Sequence, residues 1–407
     1  MIDTPSTAAD GALSASKNAQ TQEAHWSAVY AMTLCVFALI ASEFMPVSLL
    51  TPIATDLGIS EGMAGQGIAI SGAFAVITSL LITWIAGDLD RKPMLLGFTV
   101  LMGISGVIVA LAPNYLIYMT GRALIGVVIG GFWSMSAATA MRLVPSDQVP
   151  KALAIFNSGN ALATVIAAPL GSYLGSIVGW RGAFFALVPT AIIVLAWQWI
   201  SLPSMKTSTA RSKSKNVFKL LKRKDVALGM AASGAFFMGQ FALFTYVRPF
   251  LETVTHVGTP TLSLILLVLG VAGFIGTALI GIFLKRGLYS TIIVISCLMA
   301  AIAVSLIMLG AWVVPVAVLL GLWGLLATSA PVGWWSWVAL ALPDDAEAGG
   351  GLMVAVIQLC IALGSTLGGV LFDTSGYQST FIASSIVLLI AAVLTFVTSR
   401  SQQTQAA

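Results

Sequence analysis

Glu43 is the acidic residue of this sequence that stands well inside a long apolar run, and Arg122 is its basic counterpart. The other fourteen of the fifteen acids lie in polar tails, in loops or near the ends of apolar runs. A charged side chain at the centre of a membrane helix costs about 2.5–3.5 kcal/mol on insertion, so such an acid normally faces protein or a water-filled cavity. Burial disfavours the charged carboxylate, whereas a nearby arginine favours it. This competition makes a proton switch possible.

The spacing predicts that these two residues lie at a similar depth. Glu43 falls about six residues below the outer end of the first predicted helix, roughly 9 Å at about 1.5 Å per residue. Arg122 falls a similar distance inside the fourth predicted helix. The alternative to a proton switch is a buried ion pair that only locks the two helices together. The Glu43→Gln and Arg122→Ala variants separate the two, because a folded variant that still couples transport to protons excludes the switch.

Uncharged polar and aromatic residues near the middle of the apolar runs form a second candidate group. Trp133, Asn160 and Gln240 are predicted near the midplane, with Asn157 and Gln358 nearer the cytoplasm. Amides inside a membrane usually serve helix packing, which is the alternative for each one singly. Taken together, they offer hydrogen-bonding groups and stacking faces that suit a flat, uncharged polar solute such as a nucleobase. The aromatic members of the group are Phe132, Phe244, Tyr246, Trp334 and Trp335.

The elements that must position these residues are twelve apolar runs. Hydrophobic residues make up 58% of the 407 residues and charged residues 8%, against about 25% charged in a soluble domain. That composition excludes a soluble fold, a disordered chain and a disulfide scaffold. A membrane-spanning helix needs about 20 apolar residues. The sequence therefore predicts an all-α polytopic protein with spans at 27–50, 63–86, 94–112, 115–141, 152–176, 183–202, 227–251, 261–284, 288–310, 313–341, 350–372 and 379–398.

The basic residues predict the orientation of these spans. With both termini in the cytoplasm, sixteen of the nineteen lysines and arginines fall on the inner side, and the exceptions are Arg122, Arg181 and Arg248. A shift of 197 residues superposes Gly179-Trp180 on Gly376-Tyr377, which indicates two parallel six-helix repeats. The predicted organisation is a cytoplasmic tail (1–26), a first six-helix bundle (27–202), a basic cytoplasmic linker (203–226), a second six-helix bundle (227–398) and a cytoplasmic tail (399–407).

Several classes of activity lack their residues. No G-x-x-x-x-G-K-[ST] motif for ATP is present. The two histidines, His25 and His256, fall outside the apolar runs, so an intramembrane nucleophile–histidine pair and a metal site are not expected. The basic residues form loops rather than a groove, which argues against nucleic acid as a partner. We therefore expect a monomeric non-enzyme without metal or cofactor, whose partners are the lipid bilayer, a small-molecule substrate and protons.

Several segments resemble the drug:proton antiporter branch of the major facilitator superfamily, and most closely the bacterial purine ribonucleoside efflux permeases. The resemblance covers about residues 26–395. It is carried by Glu43-Phe-Met-Pro-Val-Ser-Leu-Leu-Thr-Pro52, Gly130-Gly-Phe-Trp-Ser-Met-Ser136, Arg142-Leu-Val-Pro145, Val149-Pro-Lys-Ala-Leu153, Gly239-Gln-Phe-Ala-Leu-Phe-Thr-Tyr246, Pro331-Val-Gly-Trp334 and Ala355-Val-Ile-Gln-Leu359.

General motifs of that superfamily are also present in altered form. Arg122-Ala-Leu-Ile-Gly126 is similar to the motif whose arginine is implicated in proton coupling. Residues Asp90, Arg91 and Lys92 are similar to an inner gating loop. The segment Ala168-Pro169-Leu-Gly171-Ser172 resembles the antiporter motif, with Ala168 and Ser172 in place of glycines, and assigns Pro169 and Gly171 to gating.

The resemblance implies proton-coupled efflux of purine ribonucleosides, such as inosine or guanosine, across the bacterial inner membrane. The residues alone predict proton-coupled transport of a mostly neutral solute. Two alternatives stay open, namely an exporter of sugars or drugs on the same fold and a passive facilitator in which Glu43 is a static selectivity residue.

Overall fold

The structure is a computed structural model, and it describes residues 24–86, 89–145, 148–205, 217–342 and 346–406. Within those ranges the chain is helical and contains no strand, as predicted. The helices are α1 (Trp26–Leu57), α2 (Glu61–Ala86), α3 (Arg91–Ala110), α4 (Tyr115–Leu143), α5 (Val149–Phe185), α6 (Leu187–Ser201), α7 (Lys224–Phe244), α8 (Val247–Thr253), α9 (Thr259–Arg286), α10 (Leu288–Leu309), α11 (Val313–Ala341) and α12 (Ala346–Ala406), and a 3₁₀ helix covers Val217–Lys222.

Ten helical segments of the described chain are long and apolar enough to cross a membrane, and two of them are long enough to cross twice. These two are Lys151–Ser201, with 51 residues, and Gly349–Ser401, with 53. Each contains a glycine with positive φ, Gly179 at 74° and Gly376 at 78°. Glycine adopts this backbone conformation without the clash that a Cβ would cause. The two breaks are related by the 197-residue shift seen in the sequence, and they divide the fifth predicted span from the sixth and the eleventh from the twelfth.

Two predicted boundaries were wrong. Helix α1 continues to Leu57, seven residues past its predicted end, so Glu43 lies near the middle of the helix rather than near its outer end. The seventh predicted span is interrupted between α7 and α8, at Thr245 and Tyr246. Pro249 explains this interruption, since it lacks the N–H that would bond to the Thr245 carbonyl in a continuous helix.

Parts of the predicted tails and linker, residues 1–23, 206–216 and 407, lie outside the described residues. The described part of the C-terminal tail is helical, because α12 continues to Ala406.

Side chains at several helix ends satisfy backbone groups that the helices leave unpaired. The Asp90 carboxylate accepts a hydrogen bond of 2.9 Å from the Lys92 N–H at the start of α3. The Asn114 side chain accepts from the Ile117 N–H at 3.1 Å at the start of α4. These N-terminal caps fix where the two helices begin.

The helices form two halves, α1–α6 and α7–α12, whose apolar cores are largely separate. One core cluster contains mostly residues of the second half, and a second cluster contains residues of the first half. The halves meet at the end of the bundle where α1 ends and α2 begins, which we call the outer end after the predicted topology. There Tyr246 of the second half is buried among residues of α1, α2, α4 and α5.

Candidate functional site

The candidate site is centred on Glu43, which is buried in α1 with 3% of its surface exposed. Its Oε1 accepts a hydrogen bond of 3.2 Å from Nε2 of Gln358 on α12. This contact joins the two halves near the middle of α1. A buried acid is therefore held by a neutral amide that belongs to the opposite half.

Arg122 on α4 is fully buried and binds α1 through backbone oxygens. Its Nη1 donates to the Ser42 carbonyl at 2.7 Å, and its Nη2 donates to the Glu43 carbonyl at 2.9 Å. Its Nε donates to the Gly67 carbonyl of α2 at 3.0 Å, and a longer contact of 3.3 Å reaches Ser71 Oγ. Among the described residues, no hydrogen bond joins the Arg122 guanidinium to the Glu43 carboxylate. Arg122 and Glu43 thus meet at one level without forming the ion pair that the sequence left open as an alternative.

Pro46 supplies the physical reason for this arrangement. In an α-helix the carbonyl of residue i accepts from the N–H of residue i+4, and proline has no N–H. Pro46 therefore leaves the Ser42 carbonyl without its helical donor. A buried carbonyl without a partner costs about 1–3 kcal/mol, and Arg122 provides the missing donor.

Aromatic rings lie beside the acid at the boundary between the halves. Phe44 stacks on Phe241 of α7 with ring centroids 5.6 Å apart, and Phe241 meets the edge of Phe244 at 5.8 Å. Gln240, which precedes Phe241, is 9% exposed, and its Oε1 is buried without a hydrogen-bond partner. The Oε1 of Gln358 is likewise buried without a partner. Unpaired buried acceptors of this kind are available to a bound solute.

The described ring contacts of the other predicted aromatic residues lie within one half or the other. Phe132 is buried in the core of the first half and meets the edge of Trp133 at 6.0 Å. Trp334 is 1% exposed within the core of the second half and meets the edge of Trp337 at 6.2 Å. Trp133 and Asn160 are partly buried, Trp335 is exposed, and the side chain of Asn157 lies outside what the structure describes.

Tyr246 lies at the outer end of the boundary between the halves. Its hydroxyl donates to the Ser365 carbonyl of α12 at 2.8 Å, and its ring stacks on Phe372 at 5.3 Å. A Cβ at Gly65 of α2 would stand 2.3 Å from the Tyr246 hydroxyl oxygen. Only a glycine at that position allows α2 to approach the second half so closely.

Hydrogen bonds between the halves continue from Glu43 toward the outer end, and we call these outer contacts the outer seal. Arg248 of α8 donates to the Ser48 carbonyl of α1. Thr366 donates to Gln66 Oε1 at 3.0 Å. The outer seal consists of Ser48–Arg248, Gln66–Thr366 and the bonds from Ser60 and the Gly62 N–H to Asp373.

The outer seal is a feature that sequence reasoning missed, although one signal for it was available. Arg248 is one of the three basic residues on the wrong side for the positive-inside pattern. Such an exception indicates that the cation has a partner within the protein. The backbone partner itself carries no signal in the side-chain pattern.

The predicted gating residues of the inner loop contact the start of the linker within the first half. Asp90 accepts from the Met205 N–H at 2.8 Å and from Ser204 Oγ. Lys92 Nζ donates to the carbonyls of Trp199 at 2.9 Å and Leu202 at 2.6 Å. These bonds fasten the end of α6 to the start of α3, and the Arg91 N–H adds a long contact of 3.5 Å to the Met205 carbonyl.

The other two predicted gating residues lie where α5 packs closely on its neighbours. A Cβ at Gly171 would stand 2.7 Å from Ser48 Oγ on α1. Pro169 removes the donor for the Val165 carbonyl, and this segment of α5 packs against Gly270 of α9, where a Cβ would meet the Val165 oxygen at 2.8 Å. Gly171 therefore lies at a close contact within the first half, and the turn that precedes Pro169 lies at a close contact between the halves.

A groove of about 310 Å³ between α3 and α6 is not part of this site. Apart from Thr99, its lining is apolar, and Val100 and Ile192 on its rim are 43% and 61% exposed. The groove faces the surrounding lipid and offers almost no polar group to a solute. Within the described ranges, no three His, Cys, Asp or Glu side chains are grouped to hold a metal ion.

The fold and the site define the class of this protein as a polytopic membrane protein with a polar site between two helical halves. The family model described as "Major Facilitator Superfamily" matches residues 32–364. The chain belongs to this superfamily of membrane transporters, as its sequence motifs suggested.

Two curated relatives and one solved structure illustrate the likeness. The chain is 66% identical over 384 residues, covering 94% of it and 96% of the relative, to a Pseudomonas aeruginosa protein called "Transcription regulatory protein OpdE". It is 42% identical over 370 residues, covering 91% and 93%, to the "Purine ribonucleoside efflux pump NepI" of Salmonella enteritidis. The structure aligns at a TM-score of 0.72 and 15% identity, over 93% of this chain and 98% of the other, with an inward-facing bacterial homologue of the lysosomal transporter Spinster, which shows the shared fold alone.

Proposed function

We propose that this protein exports purine ribonucleosides, such as inosine or guanosine, across the bacterial inner membrane in exchange for protons. Both termini face the cytoplasm in this proposal, and the working unit is a monomer. The observation that carries the proton coupling is the buried Glu43 carboxylate, which is hydrogen-bonded across the two halves by Gln358. The substrate class is supported by the name of the relatives that are about 42% identical.

Glu43 suits a proton carrier because its charge can change without loss of an ion pair. The guanidinium of Arg122 donates to three backbone carbonyls, and within the described residues no hydrogen bond joins it to the carboxylate. Protonation of Glu43 would therefore leave the α1–α4 contact in place. The effect of the proton would fall on Gln358, and so on the boundary that opens and closes during transport.

The solute would bind between the halves, beside the ring pair of Phe44 and Phe241. A purine is flat and uncharged, so it can stack on an aromatic face and use its edges for hydrogen bonds. Gln240 and Gln358 offer unpaired amide oxygens at this level. The mixture of stacking faces and neutral hydrogen-bonding groups matches a nucleobase better than a charged solute.

Alternating access would proceed by opening and closing the outer seal around this fixed site. The five hydrogen bonds described between the halves lie at Glu43 or on its outer side. A closed outer end corresponds to a site that is reached from the cytoplasm. Separation of the outer seal would expose the site to the outside, as expected for two halves that rock about a central site.

Counterflow of labelled inosine in proteoliposomes tests the proposal. An imposed proton gradient should drive inosine against its own gradient in the wild-type protein. Glu43→Gln should retain exchange of inosine for inosine and lose the response to the gradient. A wild-type rate that ignores the gradient would instead favour a passive facilitator, and competition by sugars or antibiotics rather than purines would favour a different exporter.

Regulation of transcription is a second candidate function, favoured by the name of the relative that is 66% identical. In this second proposal the effect on transcription follows from the transported solute. If a Glu43→Gln variant that no longer couples inosine transport to the proton gradient still alters transcription when the gene is expressed, the regulatory role is separate from proton-coupled transport.

A further inference from the structure

The amide nitrogen of Gln358 has a hydrogen-bond partner, whereas its amide oxygen has none. This difference indicates a role beyond packing. The Nε2 of Gln358 donates to Glu43 at 3.2 Å, whereas the Oε1 is buried and has no partner. The side chain is 7% exposed and lies between the halves. An amide carries two donor hydrogens on nitrogen and an acceptor on oxygen. The atom that Glu43 binds therefore determines whether the amide oxygen or the amide nitrogen remains for a solute.

We infer that Gln358 converts the protonation state of Glu43 into the hydrogen-bonding polarity of the solute site, so that the site prefers a solute edge bearing N–H donors when Glu43 is ionised. This inference rests on the proposed function and specifies how proton and solute oppose each other. It makes Gln358 a residue that both positions the proton site and selects the solute.

In this inference the arrangement in the structure is assigned to ionised Glu43. An ionised carboxylate only accepts hydrogen bonds, so it binds the Nε2 of Gln358 and leaves the buried Oε1 of Gln358 as the acceptor for a solute. The unpaired Oε1 of Gln240 is a second acceptor on the same side of the boundary. Two acceptors require donors from the solute, and a purine with an N–H or amino group on its edge supplies them.

The protonated state reverses the polarity. A protonated carboxyl group carries an O–H donor, which the Gln358 Oε1 can accept after the amide turns over about its terminal torsion. That torsion has a broad, roughly two-fold preference, so the turn itself is inexpensive. The amide nitrogen then faces the site. It cannot form a hydrogen bond with the N–H groups of the solute, because both groups are donors. A proton arriving from outside would thus weaken the hold on the solute.

The charged and titratable groups around Glu43 leave Gln358 as the side chain that responds. On the packed helices, Arg122 and Arg248 donate to carbonyls of α1. Tyr118 donates to the Ala64 carbonyl at 3.5 Å, and Cys360 packs against Gly234 of α7. The other charged residues of α1–α5, α7, α8 and α12 lie within two turns of a helix end or of the break at Gly376, namely Asp56, Glu61, Arg91, Lys92, Arg142, Lys151, Arg181, Lys224, Asp225, Glu252, Glu347, Asp373 and Arg400.

Equilibrium binding of labelled inosine to the purified full-length protein, at mildly acid and mildly alkaline pH, tests the inference. Wild-type protein should bind inosine about tenfold more tightly at alkaline pH, as the gain or loss of one hydrogen bond between neutral groups implies. Gln358→Met removes both the amide donor and the amide acceptor and keeps the length of the side chain. The affinity of this variant for inosine should therefore be low and the same at both pH values. Gln358→Asn, which is one methylene shorter and keeps the amide, should bind inosine without the pH ratio if the methionine variant fails to fold.

Gln198→Met is the matched control. Gln198 is a fully buried amide on α6 whose Oε1 accepts from Thr99 at 2.7 Å, within the first half. Its substitution should keep the wild-type pH ratio. A tenfold ratio that survives in both Gln358 variants would overturn the inference alone. A wild-type protein that binds no inosine at either pH would overturn the proposed function, and this inference with it.

Discussion

Each of the two prolines of α1 leaves a backbone carbonyl without its helical donor, and the two carbonyls receive a replacement donor from different halves of the protein. Pro46 leaves the Ser42 carbonyl without a helical donor, and Arg122 of the same half supplies one at 2.7 Å. Pro52 does the same to the Ser48 carbonyl, and there the donor is Arg248 of the opposite half. We call these the Pro46 site and the Pro52 site.

The difference shows that a carbonyl left without its helical donor can form either a permanent bond within one half or a bond between the halves that breaks during movement. The Pro46 site lies wholly within the first half and stays intact when the halves move. The Pro52 site crosses the boundary, so it must break when the outer end opens. Arg248 also binds Glu252, its neighbour one turn along α8, at 2.8 Å. Because this second partner moves with it, Arg248 leaves Ser48 without becoming an unpaired buried charge.

The largest effect is expected from Arg122→Ala at the Pro46 site. The change removes bonds to three buried carbonyls, and a hydrogen bond to a charged group contributes about 1.5–3 kcal/mol. We expect a loss of stability of about 3–5 kcal/mol. The fall in the thermal unfolding temperature of the detergent-purified protein, followed by tryptophan fluorescence, measures it.

A second substitution at Pro46 provides the control for this prediction. In the Pro46→Ala background, the alanine N–H can donate to the Ser42 carbonyl within the helix. The double variant should therefore be more stable than Arg122→Ala alone. A double variant that unfolds at the same or a lower temperature would show that Arg122 stabilises the protein by something other than repair of the helix.

A smaller effect, on conformation rather than stability, is expected from Pro52→Ala. Its new N–H gives the Ser48 carbonyl a partner inside α1, so the Arg248 bond loses most of its advantage while Arg248–Glu252 remains. A net hydrogen bond contributes about 0.5–1.5 kcal/mol, which predicts an increase of about two- to twelvefold in the population of molecules with an open outer end. Spin labels at Leu116 of α4 and Gln378 of α12, both exposed near the outer end, report the distance by double electron–electron resonance.

Pro46→Ala is the matched control for the conformational prediction. It repairs the equivalent defect in the same helix at a site that does not cross the boundary, so the distance distribution should stay as in the wild type. An equal change in both variants would mean that straightening α1, rather than weakening the Pro52 site, opens the outer end.

The sequence was sufficient to predict the helices, since hydropathy and helix length are local properties. The predicted spans fall on helices, with the seventh interrupted at Thr245 and Tyr246, and the two glycine breaks lie between predicted spans and are related by the 197-residue shift. The meeting of α1 and α4 also followed from depth arguments on Glu43 and Arg122. Predicted depth was less accurate, because polar and proline-containing turns at the end of α1 mask the length of the helix.

The partners of the arginines could not be predicted, because backbone carbonyls carry no signature in a side-chain pattern. The three exceptions to the positive-inside pattern nevertheless all have partners within the protein. Arg122 and Arg248 bind carbonyls of α1, and Arg181 pairs with Asp56. Contacts between the halves depend on tertiary geometry, so Asp373 and Thr366 gave no signal before the structure was known.

The smallest effect is expected from Asp373→Asn, elsewhere in the outer seal. The Asp373 carboxylate accepts from the Gly62 N–H at 3.0 Å and from Ser60, at the N-terminus of α2 in the opposite half. An anion at a helix N-terminus contributes about 0.3–1 kcal/mol, and the contribution is screened by salt. The variant should raise the open population about two- to fivefold in the same distance measurement, with a smaller difference at high salt.

Glu61→Gln tests whether the negative charge near the N-terminus of α2 or the hydrogen bond between the halves controls the outer end. Glu61 begins α2 and also favours its N-terminal dipole, but it belongs to the same half as that helix. If the outer seal works because its donors and acceptors come from different halves, Glu61→Gln should leave the distance distribution unchanged while Asp373→Asn shifts it. An equal shift in both would mean that the dipole of α2 alone sets the position of the outer end, and the Pro52 site would then be the contact between the halves that controls opening.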